Sequence, residues 1–331
     1  MNDNSNNAYY VYGFTQAGLV PESVVAPPPE AGVSPGVPPH PEAAAERDHA
    51  MGAAPQPAGI VKHGGQATGM IPSGGIDEQH APFFQSFGKV AAILNLVSQA
   101  EFCGPAGETN LQDLAWLAPR ACRHQAVIEQ VLHLGPVLPA RFGTLFSSLA
   151  SLETYLREHE DAICRFLERV SGHEEWAVKG LLDSAGAEAE LLARSRSGKE
   201  GSLTTTPGMA YLQEQSLRIK VKQELDDRLA EVSNGLLEEL HSLASAVGER
   251  RILSRETTGE ERDMVLNWAF LVPQPALADF RGRIERANAE QKLCGLTFEL
   301  SGPWPPYSFC PALGGETAAE SDVPDEKADD R

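Results

Sequence analysis

Basic residues are scarce in this chain, with 27 Lys and Arg against 46 Asp and Glu in 331 residues, a formal net charge of -19. That deficit argues against nucleic-acid binding, which gains affinity by placing cations on phosphates and releasing counterions. No apolar run approaches the ~20 residues needed to span a bilayer. The opening residues Met1 to Asn7 lack both the basic region and the apolar core of a secretory signal, so a cytosolic location is expected. Cysteine is also sparse: Cys103, Cys122, Cys164, Cys294 and Cys310 are odd in number, widely spaced and form no CxxC pair. They read as reduced, mostly buried small hydrophobes rather than a disulfide frame or a zinc site.

What is present is unevenly distributed. Residues 1–82 hold 8 acidic and 2 basic side chains and residues 316–331 hold 7 and 2, so the flanks carry more than half of the net charge. Twelve of the 24 prolines fall between Pro21 and Pro82. A stretch of that composition has too little apolar surface to offset the entropy of ordering, and reads as a flexible insertion of PPII character. The tail from 314 to 331 is acidic and polar and reads as disordered.

Between the flanks the hydrophobic period alternates between 2 and 3.6. Tyr9 to Phe14 alternates, with Tyr10, Tyr12 and Phe14 predicted on one face. Lys89 to Val97 is a second strand, with Val90, Ala92, Leu94 and Leu96 on one face and Ile93 and Val97 on the other. Leu111 to Leu134 reads as helix broken near Ala118-Pro119, followed by a short extended run from Val137 to Phe142. From Leu149 the positions Leu152, Leu156, Ile163, Phe166 and Val170 recur at three and four, a helix with one buried face. Glu175 to Leu182 alternates again, with Trp176, Val178 and Leu182 together. These elements predict a four-stranded α+β domain over residues 1–185.

Residues 186–208 read as a linker. A long helical stripe then runs from Met209 to Val247 with Gly248 as its stop, and Arg251 to Arg255 is a candidate strand. Met264 to Val272 is a strand, Pro273 to Ala289 looks helical, and Leu296, Phe298 and Leu300 mark a last strand. A second α+β domain over 209–313 follows.

Few side chains are set apart for chemistry. Cys122 and His124 lie two apart on a helix and so face different ways, which speaks against a shared metal. His159 on an apolar stripe is expected to be a hydrogen-bonded, partly buried histidine rather than a general base. The glycine pairs at 64–65 and 74–75 neither follow a strand nor open a helix, and there is no GxSxG, HExxH or EF-hand pattern. No catalytic residue, cofactor or metal is expected. The run Gly302-Pro303-Trp304-Pro305-Pro306-Tyr307-Ser308-Phe309 sets three aromatics among three prolines. Prolines lack a donor and fix φ, so this run is expected to leave the sheet as a stiff arm. The arm either caps its own domain or offers aromatic anchors to a protein partner.

The GPWPPYSF run resembles the C-terminal signature of the gas vesicle accessory proteins of the GvpL/GvpF family. Three more segments agree in order: Tyr10-Val11-Tyr12-Gly13; Trp116-Leu117-Ala118-Pro119-Arg120 leading through His124 to Pro136-Val137-Leu138-Pro139-Ala140-Arg141-Phe142-Gly143-Thr144; and Glu175-Trp176-Ala177-Val178-Lys179. The resemblance implies two α+β domains, the second ferredoxin-like with a long helix. It also implies a role in gas vesicle assembly through contacts with the small hydrophobic, GvpA-like shell protein and other accessory proteins, in the cytoplasm or on the vesicle. It supplies no catalytic residues, and leaves a small-molecule enzyme on a ferredoxin-like scaffold as the competing reading. Trp116, Arg141, Phe142, Trp176, Trp304, Tyr307 and Phe309 are the candidate interaction or fold-signature residues. Arg141 is either a surface residue or the partner of a carboxylate, the latter preferred because a partly buried guanidinium must be paired.

Overall fold

The computed structural model describes residues 7–19, 74–197, 207–290 and 295–313. The first strand, β1 (Asn7–Gln16), is buried along almost its whole length. It pairs antiparallel with β3 (Val90–Ser98), with Val11 opposite Leu94 and Gly13 opposite Ile93, so one residue is extra between them. Such a bulge sends the residues after it to the other face. Tyr10 and Tyr12 therefore share one face, while Phe14, expected beside them, packs on the opposite one. Gly13 suits the bulge, because a Cβ there would lie 2.6 Å from the carbonyl oxygen of Leu138.

An unexpected strand, β2 (Phe83–Phe87), forms a hairpin with β3 through Gly88, whose φ of 60° favours glycine. Short strands β4 (Val137–Pro139) and β5 (Leu145–Phe146) both pair with β1. The sheet order is β2-β3-β1-β4 with β5 also on β1. Its tyrosine face is covered by Val127, Ile128 and Val131 of one helix, and its other face by the stripe from Leu152 to Val170 of another. The faces of β3 are as the alternation predicted.

Helices α1 (Gln99–Phe102), α2 (Gly104–Gln112) and α3 (Leu114–Leu134) connect β3 to β4. The helical run breaks at Asp113, not at Ala118-Pro119. Asp113 caps α3 by accepting the Ala115 N–H at 2.9 Å, and Pro119 sits inside α3. Helix α4 (Leu149–Val170) starts at a Ser148/Ser151 capping box and follows its predicted stripe. His159 is half-buried on it, edge-on to Tyr155 at 4.5 Å.

The strand at 175–182, expected as the fourth of the first sheet, is instead central to a second. β6 (His173–Leu182) lies between β8 (Asp263–Pro273) and β9 (Leu296–Trp304), and β7 (Ala246–Glu249) edges β8, giving the order β7-β8-β6-β9. Every pairing is antiparallel. Helix α5 (Ser184–Ser197) fills most of the predicted linker, and α6 (Pro207–His241) is the long helix. It ends six residues before Val247, since Ala246–Glu249 pairs with β8. Arg251 to Arg255 is not a strand; the short helix α7 (Arg255–Thr258) begins there, and α8 (Leu277–Glu290) connects β8 to β9. Val221, Leu225, Leu236 and Leu240 of α6, with Phe280 and Ile284 of α8, bury the outer face of this sheet.

The inner face meets the first half. Ala269 and Leu271 of β8 share one cluster with the α4 stripe and with Tyr9, Val11 and Phe14 of β1. Helix α4 is thus packed between two sheets. The last residues of the predicted insertion also belong to the core: Ile76 is fully buried on the tyrosine face, and its N–H donates to the Tyr12 hydroxyl at 2.8 Å. The rest of that insertion, residues 20–73, lies outside the described residues, as does the tail from 314. Cys103 and Cys122 are exposed, contrary to the burial expected, while Cys164 and Cys310 are half-buried.

Candidate functional site

The C-terminal run does not leave the sheet at Gly302. β9 continues to Trp304, which pairs with Glu175 beyond a register shift. This is possible because β9 is an edge strand, where Pro303 can turn its donorless nitrogen away from the ladder. Gly302 has φ 143° and sits where a Cβ would come within 2.9 Å of the Glu175 carbonyl oxygen. Only from Pro305 does the chain turn away, into a helical turn over Tyr307–Phe309.

That turn is fastened by a buried carboxylate. Glu175 has no exposed side-chain surface. Its Oε1 accepts from the Arg250 guanidinium and from the Ser308 hydroxyl at 2.8 Å, and its Oε2 accepts the Ser308 N–H at 3.1 Å. Arg250 Nε also donates to the Ser308 hydroxyl at 2.9 Å, closing the group. Burial pushes the Glu175 carboxyl above its ordinary range, against the opposing pull of Arg250 and Ser308. Neither its spacing nor its alternation distinguished Glu175 in the sequence. The signal available was an acid at an inward position of a strand, first of the five residues there that matched a family pattern.

The turn then reaches the first half of the molecule. The Tyr307 hydroxyl donates to Gln125 on α3 at 3.0 Å, and Arg169 on α4 donates to the Phe309 carbonyl. Phe309 is buried in the cluster shared by α4, β1 and β8. Tyr307 remains 38% exposed. Arg141 is exposed rather than partly buried, and its positive charge acts on the neighbouring Cys310 thiol, which burial nevertheless pushes up to about 12. The arm is thus a clasp between the two halves, and not a cap on the second alone.

The other candidates lie in two places. Phe142 and Trp116 line an aromatic cluster on the tyrosine face: Phe142 is 6.1 Å from Tyr10 and 5.7 Å from His124, and Trp116 is 5.3 Å from Phe102. The Arg120 guanidinium covers Trp116 at 4.1 Å. His124 is buried at the centre of this cluster. Its Nδ1 accepts from the Tyr10 hydroxyl at 2.8 Å and its Nε2 donates to the Ala140 carbonyl at 3.2 Å, which is the neutral tautomer. Burial lowers its pKa to about 4. Cys122, two residues away, is exposed, so the two share no side of the helix. Trp176 and Trp304 belong to the second sheet: Trp176 is buried under Gly302 with Arg281 over its ring at 4.4 Å, and the half-buried Trp304 donates to Ser301 at 3.3 Å. Only Tyr307, Phe309 and Arg141 of the seven are drawn to the clasp.

Titratable groups also meet in a polar cavity of about 230 Å³ lined by Asp77, His80, Glu101 and Arg120. Asp77 accepts from the backbone of Gln79 and His80, from the His80 ring at 2.5 Å and from Asn95. Burial raises its pKa, but the His80 hydrogen bonds outweigh that and leave it low. A carboxylate so engaged is a turn cap rather than a base. Among the described residues no three His, Cys, Asp or Glu converge as a metal site, and no helix is long and apolar enough to cross a membrane.

Two antiparallel sheets, joined by a terminal arm that the buried Glu175 of β6 fastens through Ser308 and Arg250, define an α+β protein. Comparison with known proteins identifies which. A family model described as gas vesicle synthesis protein GvpL/GvpF matches residues 8–311, and the chain belongs to that family. Gas vesicle protein L of Streptomyces sp. strain CB03234 is 28% identical over 246 residues, covering 73% of this chain and 88% of the relative. The crystal structure of gas vesicle protein GvpF from Anabaena sp. PCC7120 superposes with a TM-score of 0.57 at 19% identity, over 94% of this chain and 99% of that one. GvpF from Microcystis aeruginosa gives 0.52 at 17%, over 92% and 99%. Those structures share the fold. The family is one of gas vesicle structural and accessory proteins, and the chain is a member involved in gas vesicle formation.

Proposed function

We propose that this protein acts in gas vesicle assembly by binding the small hydrophobic, GvpA-like shell protein and other accessory proteins, and that it resides on the vesicle or in the cytoplasm around it. The observation that carries the reading is the clasp. Tyr307 is more than a third exposed at the seam of the two halves, and the exposed Arg141 acts on Cys310 of the same arm; an aromatic and a guanidinium make natural anchors for a partner. On this reading the second sheet with α5, α6 and α8 is a ferredoxin-like domain, in keeping with its βαββαβ succession and its strand order. The first sheet with α3 and α4 is the N-terminal α+β domain.

Coexpression of tagged protein with the shell subunit, followed by separation of intact vesicles from cytosol, tests the proposal. Recovery of the shell subunit with the tagged protein is expected. Repeated failure to recover it, with both proteins folded and abundant, would overturn the proposal.

A further inference from the structure

Helix α6 has one face its own fold does not use. Val221, Leu225, Leu236 and Leu240 are buried, and Glu214 turns toward α5 to pair with Arg196 at 2.7 Å. On the opposite side Met209, Leu212 and Ile219 are exposed by 56%, 67% and 67%. At about 100° per residue these three fall within an arc of about 80°. The same arc continues through Gln223 to Ala230, and alongside it a groove of about 350 Å³ opens between α6 and β8, lined by Leu229, Ala230 and the exposed Ile252.

Charge is arranged along this face in two blocks. Lys220 and Lys222 precede Gln223, and Asp226 and Asp227 follow it. All four are exposed, and among the described residues none takes part in an ion pair, whereas Arg218 and Glu224 pair within the helix with Glu214 and Arg228. On a helical wheel Lys220 and Asp227 flank one side of the apolar stripe, and Lys222 and Asp226 the other. In an antiparallel pair of identical helices, like flanks meet. A two-fold axis between residues 223 and 224 then brings Lys220 against Asp227 and Lys222 against Asp226 of a second copy, four times in all, and sets Ile219 over the groove beside Leu229 and Ala230. One axis satisfies the groove, through Ile219, and both charged flanks, while Met209 and Leu212 lie outside the central contact.

We infer that two copies of this chain pair antiparallel along α6 about that axis, forming a symmetric dimer. A closed two-fold interface is the commonest way for a surface to complement itself. The contact is separate from the clasp and does not depend on the shell protein.

The test is sedimentation velocity on the full chain across a concentration series, with disulfide trapping. Dimer is expected, weakening with added salt as the flanking charges are screened. Ile219→Glu and Lys220→Glu/Lys222→Glu should each weaken association about a hundredfold or more, because like charge or unpaired charge is placed at the contact. Adding Asp226→Lys/Asp227→Lys to the lysine variant should restore the dimer. In a Cys103→Ser/Cys122→Ser background, Gln223→Cys sits at the axis and should cross-link to its own counterpart on oxidation. Ser216→Cys, whose counterpart lies about 20 Å away along the helices, should not. A monomeric wild type, a dimer indifferent to Ile219→Glu, or cross-linking at 216 rather than 223 would each overturn the inference. All substituted residues are exposed, and circular dichroism checks that the variants are folded.

Discussion

Acidification should destabilise this protein through one histidine. His124 is 4% exposed, stacked on Tyr12 at 5.6 Å, and its pKa is lowered from an ordinary 6.5 to about 4 by burial, the Ala140 carbonyl opposing the shift. Both ring nitrogens are already committed in the neutral form, so a proton on Nδ1 would displace the hydrogen that the Tyr10 hydroxyl donates and force that hydroxyl to turn away within the core. Between pH 6.5 and 4 the unfolded chain therefore holds a proton that the folded chain does not. Stability must fall as pH falls through that window, and the loss is complete below the folded pKa. Linkage between those two pKa values gives a loss of about 2 kcal/mol from pH 7 to pH 5 and about 3 kcal/mol by pH 4. Other carboxylates titrate there too, and Glu175, with its raised pKa, works in the opposite direction. The clean assay is consequently a difference: urea unfolding of wild type and His124→Gln at pH 7, 6, 5 and 4. Glutamine can still accept from Tyr10 and donate to Ala140 but cannot be protonated. The variant is expected to be less stable at pH 7, and the gap should close or reverse by about 2 kcal/mol at pH 5. Parallel pH profiles would refute the reasoning.

Three further outcomes are expected. Arg250→Ala leaves the Glu175 carboxylate buried without its cation and should cost about 3–5 kcal/mol by urea unfolding, while Glu175→Gln, which keeps partners in Ser308, should cost less. Ile76→Ala empties a fully buried site under Tyr12 and should cost about 2–5 kcal/mol. Removing residues 22–71, by contrast, should move the thermal midpoint by no more than a few degrees, because closure entropy changes only logarithmically with loop length.

The sequence was most legible where one face repeats without interruption. The α4 stripe, the two faces of β3 and the strand from Leu266 to Val272 are where the period put them, while a second bulge separates Met264 from that face. It misled where a single residue changes the count. The bulge at Tyr12 reversed Phe14, and the one local sign of it was Gly13, since a glycine inside a strand often marks a bulge. Proline was weighed too heavily twice, at Pro119, which α3 absorbs, and at Pro303, which an edge strand tolerates. Strand partnership was not legible for β6, since alternation shows that a strand has two faces and says nothing of which neighbours it takes. The same limit hid the clasp. That Tyr307 and Phe309 are aromatic, and that Glu175 is acidic, can be read from the chain; that Glu175 lies 133 positions before the Ser308 it holds is a fact of the fold.

The most direct test of the central claim, that this protein binds the gas vesicle shell protein at the seam marked by Tyr307, is co-purification of the tagged shell subunit with wild type and with Tyr307→Ala. The variant removes an exposed ring and one hydrogen bond to Gln125, and its thermal midpoint is measured alongside. The account predicts that the wild type carries the shell subunit through affinity purification and that the folded variant carries several-fold less. Equal recovery by both, or none by the wild type, would contradict it.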